Sequence, residues 1–293
     1  MKRMSYTPLV VAIVAVSFAA IFARLAEVSP VSIAFLRMAF SSLILLPIYL
    51  LRVRGGEGGV KPGREDLVPL IFSGLFLAMH FGFWIASLFF TTVASSVVFV
   101  SLNPLVVALY LSIVRRESVS AGFWIGLIVS LVGMVILGGG DVRIGGNNWK
   151  GDLLAIAGAI SVAGYFIVGS RLRKRLNLIA YVFPVYTFSA IFLFLASFIF
   201  RAKITGLPLR AYIYCMLMAI LCQVVGHSLL NWTLKMVKPT VVTISVLGEP
   251  VGSTILALLI LNEVPPLVTL VGSIAILTGI FIAIHSYGRI FEE

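Results

Sequence analysis

The chain has 293 residues, of which 60% are hydrophobic and 11% are charged, and its mean hydropathy is +1.12. This composition excludes an ordinary soluble domain and is typical of a protein that crosses a membrane many times. A net charge of +11 would indicate a nucleic-acid partner in a soluble protein. Here the basic residues lie in short segments between apolar runs, where membrane topology accounts for them, so no nucleic-acid partner is expected.

The apolar residues form ten runs, each close to the roughly 20 residues that a helix needs to cross a bilayer. Segments rich in glycine, proline and charge separate several of the runs, at 54–66, 138–151 and 201–208. We therefore predict an all-α polytopic membrane protein. The ten predicted transmembrane helices cover residues 8–26, 30–51, 67–90, 94–114, 119–137, 151–170, 178–200, 211–234, 240–261 and 267–285.

Two features that point elsewhere have simpler explanations. The first run follows Lys2 and Arg3 as in a signal sequence, but it is longer than a usual signal core, so we expect it to be retained as the first helix. Cys215 and Cys222 are seven residues apart in one apolar run, which is not a metal-binding or redox spacing. We expect both cysteines to be core residues, and no metal or cofactor is predicted.

The fourth and ninth predicted helices each carry a polar residue followed by proline near their middle. These pairs are Asn103-Pro104 and Glu249-Pro250. A carboxylate at this depth costs about 2.5–3.5 kcal/mol by insertion scales unless something compensates it. Proline removes a backbone donor and displaces the carbonyl four residues earlier, so both helices should kink or open there. The carbonyls of Val100 and Val246 are then expected to be free as neutral acceptors at mid-depth.

A shift of 146 residues relates the two halves of the chain. It places Pro104 on Pro250 and Glu117 on Glu263, and it also aligns two pairs of glycines, Gly126 with Gly272 and Gly133 with Gly279. These matches indicate an internal duplication. Each half then holds five helices, and an odd number means that the second half enters the membrane from the opposite side. The sequence predicts two inverted five-helix repeats, at residues 1–140 and 149–290, with a substrate site between them.

The distribution of basic residues predicts the orientation. Of the 22 Lys and Arg residues, 15 fall on the side of the N-terminus, six fall on the other side and Arg37 lies within a helix. The positive-inside rule then places both termini in the cytoplasm and the protein in the cytoplasmic membrane.

Several segments resemble the drug/metabolite transporter superfamily, EamA type. They are Pro30 with Arg37 seven residues later, HFGFWIASLFFTTVASS at 80–96, NPLVVALYLSIVRRE at 103–117, GDLLAIAGAISVAGYFIVGSR at 151–171 and GHSLLNWTLKMVKPTVVTISVLGEP at 226–250. The resemblance covers essentially the whole chain. It implies ten helices in two inverted halves, transport of small solutes, commonly the export of amino acids or other metabolites, and a central cavity lined mainly by helices one, three, four, six, eight and nine.

Two helices carry polar or amphipathic side chains along one face. On helix three these are His80, Trp84, Ser87 and Thr91, and on helix eight they are Gln223, His227 and Asn231. Because lipid offers such groups no hydrogen-bond partners, both faces should contact protein or a hydrated cavity. The favoured interpretation is a substrate cavity between the halves, and the alternative is hydrogen bonding between helices that only fixes their packing.

Glu249 is the leading candidate for contact with the solute. It is predicted to bind the ammonium group of a cationic or zwitterionic solute or to carry a coupling proton. The alternatives are an ion pair with Arg37 or a hydrogen bond to the backbone that Pro250 leaves free. Arg37 has a structural role or binds a carboxylate through two hydrogen bonds. Asn103 occupies the equivalent of position 249 in the first half. Ser17 and Tyr165 are weaker candidates from helices one and six.

The remaining conspicuous residues are expected to be structural. Glu117 and Glu263 lie at helix ends, where capping explains them. The glycine pairs on helices five and ten permit close helix contact, within the chain or in a dimer. The oligomeric state is left open.

The sequence therefore predicts a secondary transporter that exports amino acids or related zwitterionic or cationic solutes by alternating access. Its partners are the solute and the bilayer, with protons as the coupling ion or facilitated diffusion without coupling. The alternatives are efflux of drugs or quaternary cations by the same fold and a membrane-embedded enzyme acting on lipid-linked substrates. Motifs typical of hydrolases and metalloenzymes are absent from the sequence, so an enzyme is not expected.

Overall fold

A computed structural model describes residues 6–54, 62–91, 93–137, 149–261 and 267–288. The regular structure of these residues is helical, and it forms ten helices, three of which are interrupted by turns. The parts of an interrupted helix are called a and b in chain order. The helices are α1 (Thr7–Val16 and Ala19–Ala26), α2 (Pro30–Arg54), α3 (Arg64–Ser87), α4 (Val93–Val100, then Asn103–Leu109 with Tyr110–Val114), α5 (Ala121–Leu137), α6 (Trp149–Arg175), α7 (Leu178–Ile199), α8 (Leu209–Leu217, Met218–His227 and Ser228–Thr233), α9 (Pro239–Val246 and Glu249–Leu261) and α10 (Leu267–Gly288). The three interrupted helices are α1, α4 and α9, whereas α8 is continuous and contains a π-helical segment.

The helices have the dimensions of transmembrane segments. Within the described residues, nine are long and apolar enough to cross a bilayer, and α5 is an apolar helix of 17 residues. The prediction of an all-α polytopic membrane protein is confirmed. The largest difference from the predicted bounds is α6, which continues to Arg175 because its basic last turn is held by protein contacts.

Helices α5 and α10 pack against each other along their whole length. Ser130 Oγ donates a hydrogen bond to the carbonyl of Ile276 (3.2 Å). A Cβ atom on Gly133 would lie only 2.8 Å from the Gly272 carbonyl oxygen, and one on Gly126 would overlap Gly279. The partner's residue number falls as that of α5 rises, so the two helices are antiparallel. The glycines thus serve packing within the chain, which is the first of the two predicted alternatives.

The antiparallel contact has a consequence for the whole fold, because α5 and α10 are equivalent helices of the two repeats. The other contacts follow the same symmetry: α3 packs on α6, and the equivalent pair α8 and α1 also packs together. The predicted pair of inverted repeats is therefore confirmed as the fold class. The division of the chain between residues 140 and 149 stays a prediction, because it falls within 138–148, outside the described residues.

Helices α4 and α9 are interrupted at equivalent positions. Turns at residues 101–102 and 247–248 separate their halves, and these turns are related by the shift of 146 residues. Pro104 and Pro250 are each the second residue of the helical segment that follows. In the first turn of a helix the missing N–H of proline leaves no carbonyl unpaired within the segment, and its fixed φ angle suits the helix. The predicted opening of both helices is confirmed.

Helix α1 is interrupted as well, which the sequence did not indicate. The interruption begins at Ser17, whose one hydroxyl proton is shared between the carbonyls of Ile13 (2.7 Å) and Glu249 (3.2 Å). Ser253 in turn donates to the carbonyl of Ser17 (2.9 Å). A serine that bonds the carbonyl four residues earlier tends to bend a helix. Hydrogen bonds at mid-depth therefore join α1 to α9 at the points where the two helices are interrupted.

Candidate functional site

A cavity of about 770 Å³ lies between the two repeats. Its volume is within the range of roughly 300–1,000 Å³ that is typical of small-molecule sites. Side chains from nine helices line it, with apolar groups in the majority and polar groups concentrated at mid-depth. The structure therefore contains a cavity at the predicted location between the repeats.

The cavity extends from mid-depth to one face of the helix bundle. Its lining includes Arg24 and Leu25 near the end of α1, Leu88 after α3, Leu137 at the end of α5 and Thr269 near the start of α10. All of these positions lie at the face opposite the beginning of α1. We call this the distal face, and the face at which α1 begins the proximal face.

The proximal side of the cavity is closed by helix packing. On α4 the lining ends at Asn103 and on α9 at Val246, and below these residues α4b packs against α9a and α6. Val107 and Leu111 of α4b bury themselves against Ala163 of α6. The Arg173 side chain, 2% exposed, donates from Nε to the carbonyl of Asn231 (2.9 Å). Within the described residues, the cavity lining thus extends toward the distal face and ends near mid-depth on the proximal side.

Glu249 lies at the base of the cavity, at the first residue of α9b. It is partly buried, and Pro250, Ser253 and Thr254 of the same helix line the cavity beside it. Because Glu249 begins α9b, its carboxylate is close to the positive end of that helix, which favours negative charge. The interruption of α9 therefore explains how a carboxylate is held at mid-depth.

Arg37 lines the cavity from α2 and is 1% exposed. Its Nε donates a hydrogen bond to Gln223 Oε1 (3.0 Å), and its Cζ lies 4.0 Å from the centre of the Phe81 ring. A hydrogen bond to a charged group and a desolvated cation–π contact each contribute about 2 kcal/mol. Burial of a charge costs several kcal/mol, so these two contacts offset only part of it.

The terminal nitrogens of Arg37, Nη1 and Nη2, are buried and have no hydrogen-bond partner. Within the described residues no ion pair joins Arg37 to Glu249. The ion pair that the sequence allowed as an alternative is therefore not formed. An acidic and a basic side chain, one from each repeat, line the same cavity as separate groups.

Two histidines and their aromatic neighbours form another part of the wall. His80 Nδ1 is 3.0 Å from the carbonyl oxygen of Gly158 on α6, and its ring stacks on Trp84 at 6.2 Å between centres. The rings of His227 and Phe81 form a T-shaped contact with their centres 5.3 Å apart, and His227 Nδ1 has no hydrogen-bond partner. His80 thus has a packing contact as well as a place in the lining, whereas His227 has a free nitrogen.

Asn103 lines the cavity from the position in the first repeat that is equivalent to Glu249, but one expectation about its surroundings is wrong. Its Nδ2 donates to the carbonyl of Val100 (3.1 Å), so this carbonyl is not the free acceptor that Pro104 was expected to leave. The amide instead replaces the backbone donor that proline lacks. The Oδ1 atom of Asn103 is buried without a partner.

The structure separates the predicted site residues into two groups. Those that line the cavity are Arg37, His80, Trp84, Asn103, His227, Glu249 and Pro250. The other predicted residues pack behind the lining. Ser17 contacts the Glu249 carbonyl of α9, the hydroxyls of Ser87 and Ser96 are 2.6 Å apart, and Pro104 is the second residue of α4b. Gln223 accepts a hydrogen bond from Arg37, and Tyr165 accepts one from Asn231.

Several lining residues were not predicted. Phe81, Phe166, Ser253 and Thr254 were missed, although Ser253 follows Glu249 by one helical turn and that spacing could have indicated it. Phe81 and Phe166 have no polar group, so the sequence alone does not distinguish them from residues of the hydrophobic core.

The remaining acidic residues lie elsewhere. Glu117 is exposed, and its Oε1 lies 3.9 Å from Arg115 Nε, as expected of a residue at a helix end. Glu263 lies outside the described residues. Within the described part of the chain, no three His, Cys, Asp or Glu side chains come together as metal ligands would.

Comparisons with known proteins agree with this architecture and confirm the resemblance found in the sequence. The chain matches the EamA-like transporter family over residues 4–139 and again over residues 149–284. A protein of Archaeoglobus fulgidus named an uncharacterized transporter is 27% identical over 275 residues, which are 91% of each chain. A solved crystal structure with 19% sequence identity is similar over 97% of both chains, with a TM-score of 0.78, and shows the fold alone. The two family matches cover nearly the whole chain, which therefore belongs to the EamA-like transporter family.

Proposed function

We propose that this protein is a secondary transporter that exports a small metabolite with an amino group, an amino acid or a related zwitterionic or cationic solute. The observation that carries the proposal is the acidic side chain of Glu249, which lines a cavity of small-molecule size and forms no ion pair with any residue that the structure describes. A carboxylate held at mid-depth is costly, and a cationic group of the solute would compensate it.

The proposed mechanism is alternating access. In its support, the cavity lining extends toward the distal face, and on the proximal side α4b packs against α6 and α9a. Because the repeats are inverted, exchanging their conformations would close the distal side with the equivalent segments α9b, α1b and α4a and open the proximal side. The protein is not assigned a catalytic role, and the expected readout is movement of the solute without chemical change.

The proposed location is the cytoplasmic membrane, with both termini in the cytoplasm. The excess of Lys and Arg on the proximal side supports it. Reporter fusions at each terminus that are active only in the cytoplasm test this orientation.

The central experiment is flux in proteoliposomes that contain only this protein. Uptake of radiolabelled amino acids and amines is compared for the wild type, Glu249→Gln and Glu117→Gln. Loss of one charged hydrogen bond of about 1.5–3 kcal/mol predicts a 10- to 150-fold weaker apparent affinity for Glu249→Gln. Glu117 is exposed at a helix end, so its variant should transport like the wild type. Equal transport by both variants would contradict the proposed role of Glu249.

Proton coupling is tested in the same vesicles. If Glu249 carries the coupled proton, an imposed pH gradient drives accumulation by the wild type, and Glu249→Gln loses this response. Transport that is independent of the gradient in the wild type identifies facilitated diffusion.

Efflux of quaternary cations is the second candidate function. The aromatic side chains of Phe81, Trp84 and Phe166 in the lining favour it, since aromatic faces attract cations. Transport of tetraphenylphosphonium but not of amino acids would select this alternative.

A further inference from the structure

The buried guanidinium group of Arg37 lines the cavity, and within the described residues its two terminal nitrogens have no hydrogen-bond partner. We propose that Arg37 is the receptor for a carboxylate of the transported solute and that Gln223 is the residue that positions it. This inference rests on the proposed transport function and narrows it, because an amino group alone would then be insufficient for recognition.

Two contacts fix the orientation of the guanidinium plane. Gln223 Oε1 accepts from Nε at 3.0 Å, and the Phe81 ring covers the plane at 4.0 Å from Cζ. A guanidinium group has five N–H donors, of which Nε carries one. The remaining four belong to Nη1 and Nη2, the two atoms that lack partners. A fixed pair of this kind matches the two oxygens of a carboxylate, which it binds through parallel hydrogen bonds.

The neighbouring unpartnered groups have the same character. Gln223 Nε2 is buried without a partner, and it is a donor. His227 Nδ1, four residues further along α8, is also unpartnered. Gln223 Nε2 and the terminal nitrogens of Arg37 are therefore unpartnered donors, which suit an oxyanion, whereas the unpartnered acceptor of the lining, Asn103 Oδ1, belongs to α4.

Glu249 helps to decide which oxyanion fits. It lines the same cavity and is not bonded to Arg37. A doubly charged phosphate would be repelled by this carboxylate, whereas a solute that carries one carboxylate and one amino group places opposite charges on both residues. The expected occupant is a small amino acid or amino acid derivative with a free carboxylate.

The test compares solutes that differ only in the carboxylate. Phenylalanine, leucine and lysine are each paired with the amine that lacks the carboxylate, namely phenethylamine, isopentylamine and cadaverine, and inorganic phosphate is included as a further anion. Flux into proteoliposomes and competition against the best transported member are measured with the wild-type protein. We expect at least a tenfold weaker apparent affinity for the amines and no competition by phosphate.

Two variants assign this preference to specific residues. Arg37→Gln should reduce the preference for the amino acid over its amine to twofold or less. Gln223→Met keeps the side-chain length and leaves Arg37 in place, but it removes the acceptor for Nε. It should raise the KM for the amino acid about tenfold, leave the KM for the amine nearly unchanged and have little effect on the maximal rate. A merely structural role for Gln223 would instead change both solutes alike.

The outcomes separate the two proposals. If amines and amino acids are transported by the wild type with equal affinity, the carboxylate receptor is refuted and the proposed transport function stands. If no member of the panel moves, both fail. If Arg37→Gln does not fold, the comparison of solutes with the wild type and with Gln223→Met still decides.

Discussion

Replacing Gly133 by alanine should destabilise the contact between α5 and α10. A Cβ atom there would lie 2.7 Å from the backbone nitrogen of Ile276 and 2.8 Å from the Gly272 carbonyl oxygen. Favourable contacts between such atoms need about 3.5–4.0 Å, so the two helices must separate by roughly 1 Å. Overpacking of this kind typically costs about 1–3 kcal/mol. The gain in helix propensity on replacing glycine by alanine is common to any such variant, so relative to a glycine-to-alanine control the Tm should fall by about 2–12 °C on the scale of soluble proteins.

Gly82→Ala is the matched control, because it also places a methyl group on a glycine within a membrane-spanning helix. The nearest atom to its added Cβ is the Leu193 Cδ2 at 3.8 Å, an ordinary contact. Alanine is a better helix former than glycine by about 1 kcal/mol, so this variant should unfold at the same or a higher temperature. Apparent unfolding temperatures of both purified variants in the same detergent provide the measurement. If Gly133→Ala matched Gly82→Ala, the antiparallel contact described here would be incorrect.

Two further predictions concern the proximal side of the cavity. A disulfide formed by the double variant Val107→Cys/Ala163→Cys should lock the packing of α4b on α6. Transport should then stop on oxidation and return on reduction, while solute binding measured at the distal face persists. Both native cysteines are buried and should not interfere. Unchanged flux in the fully oxidised protein would argue against alternating access. Arg173→Gln should lower the Tm because it removes charged hydrogen bonds worth about 1.5–3 kcal/mol each, whereas the exposed neighbour Lys174→Gln should not. Equal Tm values would show that the buried contacts of Arg173 contribute nothing to stability.

The sequence predicted those parts of the fold that follow from one physical property of one type of residue. Apolar runs of sufficient length predicted the helices, and proline predicted the interruptions of α4 and α9, because proline cannot donate a backbone hydrogen bond. The duplication followed from the spacing of prolines and glycines. The odd number of helices per half then predicted the inversion, since an odd number of crossings ends on the other side of a membrane.

The features that escaped prediction depend on contacts between distant residues. The interruption of α1 at Ser17 arises from hydrogen bonds to α9, and serine is common in uninterrupted helices. The stripe of Gln223, His227 and Asn231 was read with α-helical spacing, but residues 218–227 form a π-helix. The hydrogen bonds of a π-helix run between residues five apart, and the hydrophobic pattern did not indicate this change. Of the three, His227 reaches the cavity lining, and Gln223 contacts Arg37 behind it.

The antiparallel contact of α5 with α10 is self-complementary, since the same surface of each repeat faces its counterpart. Two separate five-helix chains of identical sequence, inserted in opposite orientations, can form this isologous interface without any additional contact. Fusion into one polypeptide removes the requirement that both halves stay identical. Asn103 and Glu249 illustrate the result, because they occupy equivalent positions and only one of them carries a charge. A homodimer would have to present two carboxylates to its solute, whereas the fused chain presents one.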